Sequence, residues 1–121
     1  MLDDITDQEI NRRIAEFMGW QNLEWREATS HIGIVIPAGW YGDSSIGPGH
    51  LLSNYANNVD DLIPVIEKLR KDEKYLEVVV TGSKNYVADM YDKRDKRLAS
   101  EIEETMAMAI CHCVMTFLEK E

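Results

Sequence analysis

Residues 100–121, SEIEETMAMAICHCVMTFLEKE, form the stretch on which the fold turns. Ser100 followed by Glu103 has the spacing of a capping box, and Glu101 and Glu104 add negative charge where a helix dipole favours it, so a helix is predicted from Ser100 onward. Behind that cap Ile102, Met106, Ala109, Ile110, Cys113 and Phe117 recur every three or four residues. Val114 and Leu118 widen the stripe, the pattern of a helix with one deeply buried face. Met108, Val114, Met115 and Leu118 carry apolar character beyond that face. This surplus predicts a second buried contact, of which a two-fold homodimer is the commonest form; the alternative is a central helix enclosed within one chain.

Upstream of the core helix, Asp92–Arg97 is polar and reads as a solvated turn, its basic run Lys93–Arg97 broken by Asp95. Tyr75–Thr81 is β-branched and aromatic, and Gly82, Ser83, Lys84 and Asn85 supply turn chemistry before Tyr86, Ala88 and Met90. A hairpin is predicted. Before it, Val59, Leu62, Ile63, Ile66 and Leu69 define a helix near Asp60–Asp72, capped by Asn57 or Asn58. Pro64 requires either that the helix start near Asp60 or that it bend. From Pro37 to Tyr55, four glycines and two prolines with little periodicity predict a long loop. Ile32, Ile34 and Ile36 alternate with Gly33 and Val35 as a strand bounded by Ser30 and Pro37. Trp20–Glu27 is a strand with one wet face or an extended connection. Thr6 and Glu9 open a helix over Asp7–Met18 that faces Ile10, Ile14, Phe17 and Met18 inward and Asn11, Arg12 and Arg13 outward. Gly19 suits the left-handed residue that ends it, with Trp20 folding back.

The resulting order is helix, strand, strand, helix, strand, strand, helix. It predicts an α+β fold in which a mainly antiparallel sheet of about four strands carries three helices on its faces, in a single domain over residues 1–121. A chain of 121 residues with 45% hydrophobic and 29% charged residues can bury such a core without disulfides or metal. The formal charge of −9 argues against nucleic acid as a partner. Cys111 and Cys113 lie about 200° apart around a helix and read as reduced core residues. Met1-Leu2-Asp3-Asp4 has no signal-peptide character, and no run is long enough to span a membrane, so a cytoplasmic protein is expected.

Several elements in order resemble the phage ABA sandwich domain, a family of small bacteriophage proteins. They are the helix ending in Met18-Gly19-Trp20, the passage with Asn54-Tyr55 and Asn58, the Ile66-Glu67-Lys68-Leu69-Arg70 helix, the Tyr75–Thr81 strand, and the closing helix with Ala107, Ala109 and Ile110. The resemblance spans most of the chain and implies an α/β/α sandwich encoded by a phage and working in the host cytoplasm. It implies no activity. The Trp40–His50 passage is particular to this sequence.

Trp40, Tyr41, Asp43, His50 and Tyr55 are the candidate ligand-binding residues, since aromatics stack on planar ligands while polar groups orient them. The structural alternative is that Trp40 and Tyr55 anchor a long loop on the core. Gly39, Gly42, Gly47 and Gly49 match no phosphate-binding fingerprint and read as turn residues. His31, His50 and His112 have no paired metal-ligand spacing with Cys111 or Cys113, so neither a metal nor a cofactor is expected. The cysteines lack the electropositive, exposed setting of a nucleophile. Carboxylates at Asp3, Asp4, Asp60, Asp61, Glu101, Glu103 and Glu104 fall at helix starts, where the dipole explains them. Two readings follow. The first is a non-enzymatic phage accessory protein binding a host macromolecule, its acidic surface suiting a basic target. The second is an oligomeric sponge that sequesters a nucleotide-like host immune signal, with Lys84, Arg94 or Arg97 of a neighbouring subunit neutralising its phosphates.

Overall fold

In the computed structural model, residues 6–44, 47–82 and 85–120 are described. The elements are α1 (Asp7–Phe17), β1 (Gln21–Arg26), β2 (Thr29–His31), β3 (Ile34–Ile36), β4 (Gly39–Ser44), β5 (Gly47–Leu51), α2 (Val59–Lys71), β6 (Tyr75–Thr81), β7 (Asn85–Tyr91), β8 (Arg97–Glu103) and α3 (Met106–Glu119). The fold is α+β with three helices and wholly antiparallel pairing. Among the described residues the strands number eight in three sheets, ordered β1-β4-β5, β2-β3 and β6-β7-β8, where the sequence suggests about four in one.

Three local readings account for that difference. The first concerns Ser100, which begins no helix: residues 97–103 form β8, and Thr105 is the N-cap of α3, its Oγ1 accepting from the Met108 N–H at 3.2 Å. Pairing of Met90 with Ala99, Ala88 with Glu101 and Tyr86 with Glu103 gives β7 a second partner strand, and this ladder overrides the local capping signal. Secondly, the Ile32–Ile36 run is not one strand. Ile32 and Gly33 both take positive φ, +50° and +77°, and form the two-residue turn of a hairpin in which His31 faces Ile34. Lastly, the Pro37–Tyr55 passage is largely strand. Its glycines serve close packing as well as turning: a Cβ on Gly42 would lie 2.4 Å from Leu23 Cδ2 and 3.1 Å from the Gln21 carbonyl oxygen, so a larger residue would push Leu23 off its place over β4.

Other expectations hold. The Thr6 side chain caps α1 by accepting from the Glu9 N–H at 3.2 Å. The Gly19 N–H reaches Glu16 O and the Trp20 N–H reaches Ala15 O, at 3.1 and 3.0 Å, with Gly19 at φ +92°, which is the Schellman closure. Asn58 caps α2, and Pro64 lies inside that helix as its sixth residue. The β6–β7 hairpin pairs in unbroken register from Tyr75–Tyr91 to Thr81–Asn85, although Ser83 and Lys84 of its turn lie outside the described residues.

The core is organised around α3. Ala107, Ala109, Ile110, Cys111, His112, Cys113, Val114, Met115 and Phe117 are all buried and run round the whole helix, so α3 is covered on every side. The β7–β8 face covers one side, with Ala88, Met90 and Ala99 buried against it; α1 and α2 bring Ile10, Ile14, Leu62, Val65 and Leu69 from the other. Of the surplus apolar positions of the last helix, Val114 and Met115 are buried within the chain, and Met108 and Leu118 pack partly buried against the core. The thiols are free and buried, and burial pushes both up to about 12. Inert core residues are what that environment produces.

Candidate functional site

The five candidate residues do not form one surface. Trp40 and Tyr41 are successive residues of β4 and point to opposite faces of its sheet. Trp40 meets Trp25 edge-on at 6.0 Å, and the Arg12 guanidinium lies 5.6 Å from its ring centroid. Tyr41 is buried; its hydroxyl donates to Pro37 O at 2.8 Å, and Arg26 sits 4.9 Å from its ring. Both aromatics therefore serve as anchors. His50 is exposed on β5 and folds over Gly47, where a Cβ would come within 3.1 Å of its Nε2.

Asp43 and Tyr55 do come together. They share the wall of a cleft of about 540 Å³ with Met18, Gly19, Trp20 and Pro64, where the α1–β1 joint, the end of β4 and α2 meet. That volume is in the range of small-molecule sites. Asp43 is fixed from two sides: Asn22 Nδ2 donates to Oδ2 at 2.7 Å, and the Gly49 N–H donates to Oδ1 at 3.0 Å. First the Asn22 amide and then the Gly49 N–H hold its carboxyl below the usual carboxylate range. Tyr55 is almost wholly buried, and that burial pushes its phenol above the ordinary value against hydrogen bonds to Trp20 and Ser53. A charged carboxylate and a neutral phenol thus face an aromatic and aliphatic wall.

Two polar residues are buried where their sequence pattern shows no sign of it. Asn11, placed on the wet face of the first helix by periodicity, is buried. Its Oδ1 accepts from the Ala56 N–H at 2.9 Å and its Nδ2 donates to Asn54 Oδ1 at 3.3 Å, fastening α1 to the connection before α2. Asn57 extends this network to Asn54 and to Asp7 at the start of α1. His112 is 3% exposed, with Nδ1 2.9 Å from Glu103 Oε1 and Nε2 without a hydrogen-bond partner among the described residues. Glu103, which sequence spacing placed in a capping box, instead reaches from β8 to α3.

The described residues hold no group of three or more His, Cys, Asp or Glu able to bind a metal ion, and no helix is long and apolar enough to cross a membrane. Asp3, Asp4 and Lys84, and with them the Met1–Asp4 opening, lie outside the described residues. Arg94 lines a small depression with Lys74 and Lys93 at the β7–β8 turn, where Lys93 pairs with Glu73 at 3.4 Å.

The most exposed large apolar side chains among the described residues lie elsewhere, in the chain between β1 and β4. Arg26 and Gly39 are register partners at one end of their sheet, so the intervening chain leaves that end as an arm formed by β2 and β3. Ile32, Ile34, Val35 and Ile36 on this arm are 87%, 65%, 72% and 45% exposed, and none joins the core. An isolated two-stranded hairpin is marginal in water. Comparison with known proteins adds no relative to this geometry: no family model matches the chain, and neither a curated protein nor a solved structure does so.

Proposed function

We propose that the chain is a non-enzymatic accessory protein of bacteriophage type that works in the host cytoplasm by docking on a host macromolecule through the β2–β3 arm. The observation that carries this reading is the arm itself, whose segment from Thr29 to Ile36 is uncharged and presents four exposed β-branched residues clear of the core. Interfaces place an apolar centre inside a polar rim, and the net charge of −9 makes a basic protein the complementary partner. Self-association would use the same kind of open surface, so the oligomeric state belongs to the same test.

The alternative of a sponge for a nucleotide-like signal receives less support. No described residue lining the Asp43 cleft is basic, and Arg94 belongs to a different surface. The test is affinity capture from infected bacteria, comparing the native chain with an Ile32→Asn, Ile34→Thr, Val35→Thr variant, alongside mass photometry of each purified chain. The expected result is one basic protein retained by the native chain, lost from the variant and weakened by salt. Equal retention by both chains would overturn the reading.

A further inference from the structure

The cleft at the α1–β1 joint has a chemistry that neither the docking surface nor the nucleotide alternative uses. Its walls combine the apolar and aromatic side chains of Met18, Trp20, Tyr55 and Pro64 with the neutral polar groups of Gln21, Ser44 and Ser53, and Asp43 is the one charged side chain among its described lining residues. Both Asp43 oxygens are already oriented by donors, Asn22 on Oδ2 and Gly49 on Oδ1, so the carboxylate is preset before any ligand arrives. A carboxylate oxygen retains further lone pairs after accepting one hydrogen bond. Two cations stand outside the cleft: Arg26, which adds a weak electrostatic pull on Asp43, lies over the Tyr41 ring and pairs with Glu24, and Lys68 is engaged by the Phe17 carbonyl and by the Phe17 ring 4.5 Å away.

We propose that this cleft binds a small organic cation, a primary ammonium carried on an aromatic or aliphatic body. The ammonium pairs with Asp43, while the body lies against Trp20 and Tyr55. A phosphate-bearing ligand is disfavoured on two counts: it meets a carboxylate held in its charged form, and it finds no described basic group to replace the water it loses. An aromatic body gains further by packing against the indole ring. The inference is independent of the arm, which lies at the opposite end of β4 from Asp43; Gly39 is the arm-side end.

The test uses three probes of one shape, 2-phenylethylammonium, 2-phenylethanol and phenylacetate, with adenosine monophosphate as the nucleotide. Each is titrated into the ¹⁵N-labelled protein, with the Trp20 indole N–H and the Gly19 and Asp43 amides as reporters. The expected result is saturable shifts at these three groups with the ammonium, binding roughly tenfold tighter than the neutral alcohol, and weakest response to the two anions. Asp43→Asn should reduce the ammonium to the affinity of the alcohol. Because that substitution also touches the Asn22 and Gly49 bonds, the comparison of probes on the native chain stands by itself. Binding of adenosine monophosphate or phenylacetate as tight as the ammonium overturns the proposal. So does an ammonium that shifts residues elsewhere, or one that gives no saturable shift. None of these outcomes alters the partner capture that tests the arm.

Discussion

Helix α3 and the β2–β3 arm are both built from apolar, largely uncharged sequence, yet one has no wet face and the other has no dry one. The difference lies in what the neighbouring chain supplies. The α3 segment is flanked by β8, which turns back on it, and is met from the far side by α1 and α2. The arm leaves the end of its sheet at Arg26 and returns at Gly39, and none of its apolar side chains joins the core cluster. An apolar pattern therefore reports the element it can form, and only the topology reports whether that element is covered.

The sharpest break of this comparison is a truncation in α3. Ile110 is 2% exposed within the central cluster, so Ile110→Ala should cost about 2–5 kcal/mol, read as a lower urea midpoint at unchanged slope. A loss within the error of a surface substitution would mean that α3 is not the centre of the core.

Acid should act next, and on the periphery. The carboxyl of Glu9 is held below its ordinary 4.5 chiefly by Arg12, and that of Asp92 below its ordinary 3.8 by the Lys96 and Arg94 N–H groups. With Asp43, these groups bind protons more readily unfolded than folded. Their contribution is thus complete above the ordinary values and is lost as pH falls through the depressed ones. Lowering the pH from about 6 to about 3 should reduce the urea midpoint, with amide protection failing first around Asp43 and Asp92 and last in α3. Earlier failure in α3 would reverse the order.

The smallest effect belongs to the arm. Ile32→Asn replaces a β-branched residue at φ +50° with one that tolerates that conformation and creates an Asn-Gly turn. Global stability should stay within about 0.5 kcal/mol of the native chain. A cooperative loss of more than about 1 kcal/mol would show that the arm is part of the core after all.

Much of the fold was legible where a signal is local and no distant strand competes. Thr6, Gly19 and Asn58 end or begin helices as their side chains dictate, and the alternation of Tyr75–Tyr91 gives the hairpin. Ser100 and Glu103 show the limit: a genuine capping spacing lost to β7, whose free edge takes up β8. The glycines of β4 misled for a different reason. Glycine marks a turn by its φ and a close approach by its missing Cβ, and at Gly42 the second applies, which requires knowing where Leu23 lies. Of the site, Asp43 and Tyr55 were found by residue type. In sequence Trp20 and Pro64 signal only a helix closure and a helix irregularity, since their meeting in the cleft is a consequence of how α1 and α2 dock.

The placement of α3 also bears on the order in which the protein acquires its shape. Ile10 and Ile14 of α1 have their burial completed only by a segment that begins about 90 residues later. At translation rates of ~5–20 residues per second, roughly 5–20 s pass between the two. Throughout that interval the early helix carries an uncovered apolar face, and the nascent chain depends on either chaperone cover or sparse neighbours to avoid sticking. The meander of β6, β7 and β8, by contrast, lies next to α3 in sequence, so the contacts that close quickest in the core belong to the C-terminal half.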